Sequence, residues 1–276
     1  MRSIFKIFVV IGIILGLYSC SKFSKIQKSN DTTYKLTKAD EYYANKKYRN
    51  AQMLYEELFA AMKGTDKFED VYYKWAYCFY YQKQYRDAEN LFKGFLEVFP
   101  NSPRAEEVDY ARAYCFFKQS PKIELEQVNT LKSMNMMQTF INTHPGSPRI
   151  KDATAIIDEG RVKLEIKEAR AAQLYYNLGQ FRSSGIAFEN LLNNYPESLK
   201  GDEYKLMVVK SFYRFAKLSV AEKQVERFEK VTSEFLDFAD RYPESKLLKQ
   251  AEDYSILSKK NIKELNNEQT PSSAKL

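Results

Sequence analysis

The sequence is poor in the residues that break or loosen a backbone, with nine glycines and eight prolines in 276 positions, and it carries one histidine, one tryptophan and three cysteines. Scarce glycine and proline argue against a disordered or loop-rich chain. Three cysteines are too few for a disulfide framework. No glycine-rich phosphate loop, HExxH or CxxC motif is present, and a lone His144 offers little for metal or acid–base chemistry. Carboxylate neighbours such as Glu56-Glu57 and Glu106-Glu107 point to different sides of a helix. No enzyme activity, no metal and no cofactor is therefore expected.

What is abundant is aromatic residue, 21 Tyr and 19 Phe, which suits long helices packed through large side chains. Lys plus Arg number 43 against 36 acids, a net charge of +7 to which Arg2 and Lys6 near the N-terminus contribute two. The two signs are interspersed, the pattern of a solvated helical surface, so no nucleic-acid partner is expected.

Four short phrases recur: Phe99-Pro100-Asn101-Ser102, His144-Pro145-Gly146-Ser147, Tyr195-Pro196-Glu197-Ser198 and Tyr242-Pro243-Glu244-Ser245. Their prolines lie 45, 51 and 47 residues apart, a period that signals a helical array. Each proline pushes the residue before it out of the α region, and the serine two positions later can cap the next helix. His144 stands where the other phrases have an aromatic ring, so it reads as a packing position.

Between the phrases, apolar residues recur at spacings of three and four. The second repeat sets Tyr72, Trp75, Ala76 and Phe79 on one helix stripe and Tyr85, Ala88, Leu91, Phe92, Phe95, Leu96 and Phe99 on the next. Tyr72, Ala76, Ala88, Phe92 and Pro100 stand where the tetratricopeptide (TPR) pattern expects them. The first repeat, with Ala39, Tyr42, Tyr48, Ala51, Leu54, Tyr55, Leu58 and Phe59, ends at Lys63-Gly64, glycine being itself a helix stop. The third carries Ala113, Phe116, Met136, Met137, Phe140 and Ile141, with a longer inter-helix loop through Gln119-Ser120-Pro121-Lys122. The fourth runs from Ala172 to Pro196. The fifth includes Ser211, Phe212, Val231, Phe235 and Phe238, with an expanded connection expected near Ser219. The expected fold is all-α, a right-handed α-solenoid of about five TPR-like helix pairs plus a C-terminal capping helix, about eleven helices in all. Cys78 and Cys115 occupy equivalent positions in successive repeats, beyond disulfide reach, and are expected as buried free thiols.

The N-terminus reads as an address. Met1 to Lys6 is a short basic region, and Ile7 to Leu17 is an eleven-residue apolar run, too short to span a bilayer. Leu17-Tyr18-Ser19-Cys20 resembles the bacterial lipobox, in which the cysteine is diacylated and becomes the new N-terminus; the bulky Tyr18 departs from that pattern. Residues 1–19 are thus expected as a lipoprotein signal peptide and 20–33 as the acylated Cys20 with a polar tether. Residues 34–147 would hold the N-terminal repeats, 148–265 the C-terminal repeats and capping helix, and 266–276 a disordered tail. By the sorting rules of Gram-negative lipoproteins, Ser21 after the cysteine and a basic tether suggest the outer membrane, periplasmic face.

Lipobox, repeat number, Tyr-Pro-x-Ser joints and a lengthened third repeat together resemble the BamD family of outer-membrane assembly lipoproteins. The resemblance covers nearly all of the chain after Cys20 and is densest from Pro148-Arg149-Ile150-Lys151-Asp152-Ala153 through Glu168, Tyr175-Tyr176, Gly179-Gln180-Phe181 and on to Ser198. TPR arrays line their concave face with the first helix of each pair, which here offers Tyr43, Tyr73, Tyr77, Tyr80, Tyr110, Tyr114 and Phe117 as a peptide-binding groove. Tyr77 is expected at its surface, so that Tyr77→Ala weakens a ligand and leaves folding intact. The resemblance implies two partners: C-terminal segments of unfolded outer-membrane proteins on the N-terminal repeats, and a BamA-like barrel protein docked through POTRA domains on the C-terminal repeats. Other assembly lipoproteins are candidate partners, and the lipid on Cys20 ties the chain to the membrane. Two other readings share the architecture: a TPR adaptor lipoprotein of the cell envelope, linked to peptidoglycan or Tol-Pal, and a carbohydrate-uptake lipoprotein. Chains of the last kind are much longer.

Overall fold

The computed structural model describes residues 22–269, so the signal peptide, the Cys20 anchor and residues 270–276 of the expected tail lie outside it. All regular structure among the described residues is helical. A helical stretch at residues 22–27 precedes eleven longer helices. These are α1 (Thr32–Ala44), α2 (Tyr48–Met62), α3 (Phe68–Tyr81), α4 (Tyr85–Val98), α5 (Ala105–Lys118), α6 (Val128–Thr143), α7 (Ile150–Asn177), α8 (Phe181–Asn194), α9 (Gly201–Lys217), α10 (Ala221–Arg241) and α11 (Leu248–Gln269). They form five TPR-like pairs and one remaining C-terminal helix, as the periodicity predicts. None of them is long and apolar enough to cross a membrane.

Two kinds of joint connect the helices, and each has a local cause. Within the first, second and fourth pairs the turn is three residues long, and its middle residue is left-handed: Lys46 (φ 58°), Lys83 (φ 62°) and Gly179 (φ 76°). The next residue's N–H then reaches back five positions, Lys47 to the Tyr42 carbonyl, Gln84 to Phe79 and Gln180 to Tyr175, at 2.8 to 3.0 Å. This closes orphan carbonyls at the helix end. Gly64 (φ 80°) follows α2 and is the stop read from Lys63-Gly64.

Between pairs, the residue before each proline leaves the helical region as expected, with φ/ψ near −130°/60° at Phe99, His144, Tyr195 and Tyr242. The serine that follows makes two bonds. Its Oγ accepts the N–H two residues on, from Arg104, Arg149, Lys200 and Leu247 at 3.0 to 3.2 Å. The same hydroxyl donates to a carboxylate of the preceding pair's first helix: Ser102 to Glu69 at 2.7 Å, Ser147 to Glu106 at 2.5 Å, Ser198 to Glu165 at 2.6 Å and Ser245 to Asp202 at 2.6 Å.

The chain divides into two compact units at residue 160, within the unbroken α7, not at the 147/148 boundary expected from the second proline phrase. In the first unit the core is built on Leu54, Tyr55, Leu58, Val71, Phe92 and Phe95, continued by Tyr110, Met137, Phe140 and Ala153. Cys78 and Cys115 are buried in it as free thiols, as expected. Burial pushes both thiols up, Cys115 to about 12, which leaves them protonated and unreactive. The long loop of the third pair exists at residues 119–127; Gln127 is buried at its end and donates to the Lys122 and Leu125 carbonyls, both at 2.8 Å.

The second unit packs Phe188, Leu191, Val208, Val209, Phe212, Phe228 and Val231, with Leu206, Phe238 and Ala251 as a smaller cluster. Lys205 is buried and paired with Glu234 at 2.5 Å. Burial alone would raise the Glu234 carboxyl; hydrogen bonds from Lys205 and Lys230 outweigh it and hold the group below the usual carboxylate range.

Three expectations are corrected. The connection at Ser219 is only residues 218–220, because no helix breaker stands there; the extra length of the fifth repeat lies in α10, 21 residues long. Arg227 lies 4.1 Å over the Phe215 ring and Gln224 donates to the Ser219 carbonyl at 3.1 Å, which closes that short turn. The polar tether is partly folded: residues 22–27 are helical, Ile26 is buried, and the Phe23 ring meets Tyr42 at 5.8 Å. Finally, α11 continues to Gln269, past the boundary set at 265.

Phe92 is fully buried against Tyr77 and Tyr80. Phe92→Ala is expected to cost about 3–5 kcal/mol in chemical denaturation; an unchanged midpoint would contradict this helix pairing.

Candidate functional site

Among the first helices of the first three pairs, α3 and α5 carry aromatic residues at spacings of three and four, and α1 carries Tyr42 and Tyr43 near its end. In the structure their rings meet. Tyr43 lies 6.3 Å from Tyr81, Tyr81 5.6 Å from Tyr77 and from Tyr80, Tyr80 6.3 Å from Tyr114, and Tyr114 5.5 Å from Phe117. Tyr73 joins through Tyr77 at 4.6 Å and Tyr110 through Tyr114 at 6.0 Å. All seven aromatic residues singled out in the sequence thus belong to one continuous ring network of the first unit.

The members differ in what they can do. Tyr77 is only 5% exposed and Tyr110 only 8%, so both are core residues, and the expectation that Tyr77 sits at the surface is overturned. The reason is its neighbours: the Tyr77 ring packs edge-on against Phe92 at 5.0 Å, and its hydroxyl donates to Glu107 Oε1 at 2.8 Å. Tyr73 donates to the same oxygen at 3.0 Å. Burial, and then the Glu107 charge, push the Tyr73 hydroxyl up to about 12; burial, and then Tyr73 and Glu107, push the Tyr77 hydroxyl further. Tyr43, Tyr73, Tyr80, Tyr114 and Phe117 are half-buried.

Three partly exposed rings in contact with these residues were not among those singled out. Tyr81 is 46% exposed and stacks on Tyr48 at 4.6 Å, while Tyr85 meets Tyr80 at 5.8 Å. Tyr48 and Tyr85 open α2 and α4 in the matching strings Tyr48-Arg49-Asn50-Ala51 and Tyr85-Arg86-Asp87-Ala88. That repeated string is the signal that could have found them. In the first two pairs the left-handed turn lays the first ring of the second helix against a ring near the end of the first, Tyr48 on Tyr43 at 5.7 Å and Tyr85 on Tyr80.

Cations border the rings. Arg104 lies 4.4 Å over Tyr73, Arg149 4.9 Å over Tyr110, and Lys118 5.0 Å over Tyr114. Arg104 also pairs with Asp70 at 2.9 Å, Asp70 with Lys74 at 2.6 Å and Lys74 with Asp40 at 2.8 Å, an ion chain through α1, α3 and the start of α5. The arrangement offers apolar ring faces, phenol hydroxyls and fixed positive charge. These suit an extended segment with aromatic side chains and a carboxylate.

His144 packs against Phe140 at 4.9 Å with Nε2 3.5 Å from Asp109, in agreement with its reading as a packing residue. Among the described residues no group of three or more His, Cys, Asp or Glu side chains is placed to hold a metal ion.

The family model described as YfiO, outer membrane lipoprotein, matches residues 27–214. No curated protein gives a significant sequence match. Similar solved structures include the TPR2AB domain of yeast Sti1 in its pHSP90 complex, 10% identical over 83% of this chain and 98% of that one, TM-score 0.40. A TPR-repeat protein of Bacteroides fragilis is 14% identical over 83% of this chain and 99% of that one, also with TM-score 0.40.

Tyr77→Ala is expected to destabilise the first unit by about 3 kcal/mol or more, and Tyr77→Phe, which keeps the ring, by about 1 kcal/mol; equal midpoints for all three proteins in urea would contradict the core assignment. Burial alone would raise the Asp70 carboxyl, but Lys74 and then Arg104 hold it below the usual range. Its contribution is therefore present above the unfolded-state pKa and is lost as pH falls through the folded value. The difference in melting temperature between the native chain and Asp70→Asn should shrink on acidification; a constant difference from neutral pH to about pH 3 would contradict that.

Proposed function

We propose a function from one premise: the chain belongs to the YfiO family of outer membrane lipoproteins. On that premise it is a non-catalytic scaffold, anchored by lipid on Cys20 at the periplasmic face of the outer membrane, that aids the insertion of β-barrel proteins. Its first unit receives the C-terminal segment of an unfolded barrel protein, a strand that ends in an aromatic residue. Its second unit docks the POTRA domains of a BamA-like barrel protein.

The single observation that carries the substrate half of this reading is the ring network with cations at its border. An incoming aromatic side chain finds partly exposed rings at Tyr80, Tyr114 and Phe117. A terminal carboxylate finds the Lys118 ammonium, which is exposed. Rings of this kind supply large contact area at low cost in side-chain entropy, and such positions dominate binding energy where they are only partly solvated.

The test is fluorescence anisotropy with a labelled peptide copied from the last strand of an outer-membrane barrel protein and ending in Phe. Tyr114→Ala is expected to weaken binding about tenfold or more with little change in melting temperature. Binding that is indifferent both to Tyr114→Ala and to loss of the peptide's terminal aromatic residue would overturn the reading.

A further inference from the structure

A second candidate site lies at the other end of the first unit's chemistry, beside the start of the described chain. The helical stretch at residues 22–27 is held in place by the Phe23–Tyr42 ring contact and by three more. Ile26 is buried, Lys35 Nζ donates to the Gln27 carbonyl at 2.9 Å, and the Gln27 amide donates to Glu57 at 2.8 Å. Against α1 this stretch leaves an open cleft of about 430 Å3, lined by Lys22, Lys25, Lys38 and Lys47 together with Tyr34 and Tyr42.

The charge of the cleft is one-sided. Glu41 is its one acid, and it is already paired with Lys38 at 2.8 Å. Lys22, Lys25 and Lys47 are exposed and have no carboxylate within ion-pair distance among the described residues. The whole segment 22–47 holds seven lysines against three acids. Three unneutralised ammonium groups around one concavity, with phenol hydroxyls beside them, are the chemistry of a phosphodiester site.

Position decides which phosphodiester. Lys22 follows Cys20 by two residues, so covalent geometry keeps their Cα atoms within about 7 Å. Acyl chains on Cys20 lie in the hydrocarbon, which places Lys22 and its cleft at headgroup depth. We propose that this cleft binds the headgroup phosphate of an anionic phospholipid in the leaflet that holds the Cys20 lipid. The inference rests on the lipid-anchor reading above. It adds a protein-side contact that orients the first unit on the membrane, where acyl chains alone would leave it free to swivel.

The test uses the protein extracted from its own membrane and reconstituted with vesicles of phosphatidylcholine, with or without phosphatidylglycerol. Acetylation rates are read lysine by lysine by mass spectrometry. The mass of the N-terminal peptide reports acylation of Cys20 separately: a peptide without acyl mass sinks the anchor reading, while the rates still decide the cleft. Lys22, Lys25 and Lys47 are expected to react several-fold more slowly with phosphatidylglycerol present, and Lys93 at an unchanged rate. The variant Lys25→Gln with Lys47→Gln should lose affinity for anionic vesicles by roughly fivefold per lysine, and the charge-matched Lys28→Gln with Lys46→Gln by clearly less. Equal loss in both variants would reduce the cleft to a diffuse basic surface and overturn the proposal. Equal protection by inorganic phosphate on pure phosphatidylcholine would assign the cleft to a free anion and overturn it as well.

Discussion

The hydroxyls of Ser102, Ser147, Ser198 and Ser245 each accept one backbone N–H and donate to one carboxylate a repeat earlier, and the repeat geometry depends on that double use. A serine has a single hydrogen to give. Once it is committed to Glu69, Glu106, Glu165 or Asp202, the start of one first helix is tied to the start or middle of the one before it. The consequence reaches the rings. Arg104 and Arg149, each two residues past a joint serine, lie over Tyr73 and Tyr110, so the joint also sets a cation above a tyrosine in successive repeats.

The first unit divides its aromatic residues between two tasks that compete for the same faces. Tyr55, Phe92, Phe95 and Phe140 are sealed in the core, and Tyr77 is nearly so. Buried phenols need partners for their hydroxyls, and the acids supply them: Asp40 for Tyr55 at 2.7 Å and Glu107 for Tyr73 and Tyr77. Asp40 in turn pairs with Lys74, which also holds Asp70 beside Arg104, so the acid behind Tyr55 belongs to a connected polar network. Backing of this kind leaves Tyr80, Tyr81, Tyr114 and Phe117 held in place while still partly exposed.

The periodic features were legible in the sequence because they are written several times. Four proline phrases, equivalent cysteines and stripes at spacings of three and four gave the five pairs, the helix stops and the buried thiols. Features written once, or shared between two roles, were not legible. Tyr77 lies four residues from both Tyr73 and Tyr81, and spacing alone could not tell the ring facing Phe92 from the ring facing solvent. The extra residues of the fifth repeat could lengthen a loop or its helices, and without a breaker at Ser219 they lengthened α10. Residues 22–27 looked like a polar tether because four of the six are polar; the other two, Phe23 and Ile26, dock it. The ion pair of Lys205 with Glu234 spans two helices and leaves no local mark.

The two thiols of Cys78 and Cys115 acquire a timing constraint from where the family's members work. Outside the cytosol thiols meet an oxidising environment, in which an exposed pair is captured as a mixed or intermolecular disulfide. Folded, both sulfurs are sealed and protonated, so oxidants have nothing to attack. The vulnerable interval is the time between export and closure of the first unit. Closing that core therefore shields both thiols from oxidants as well as stabilising the fold.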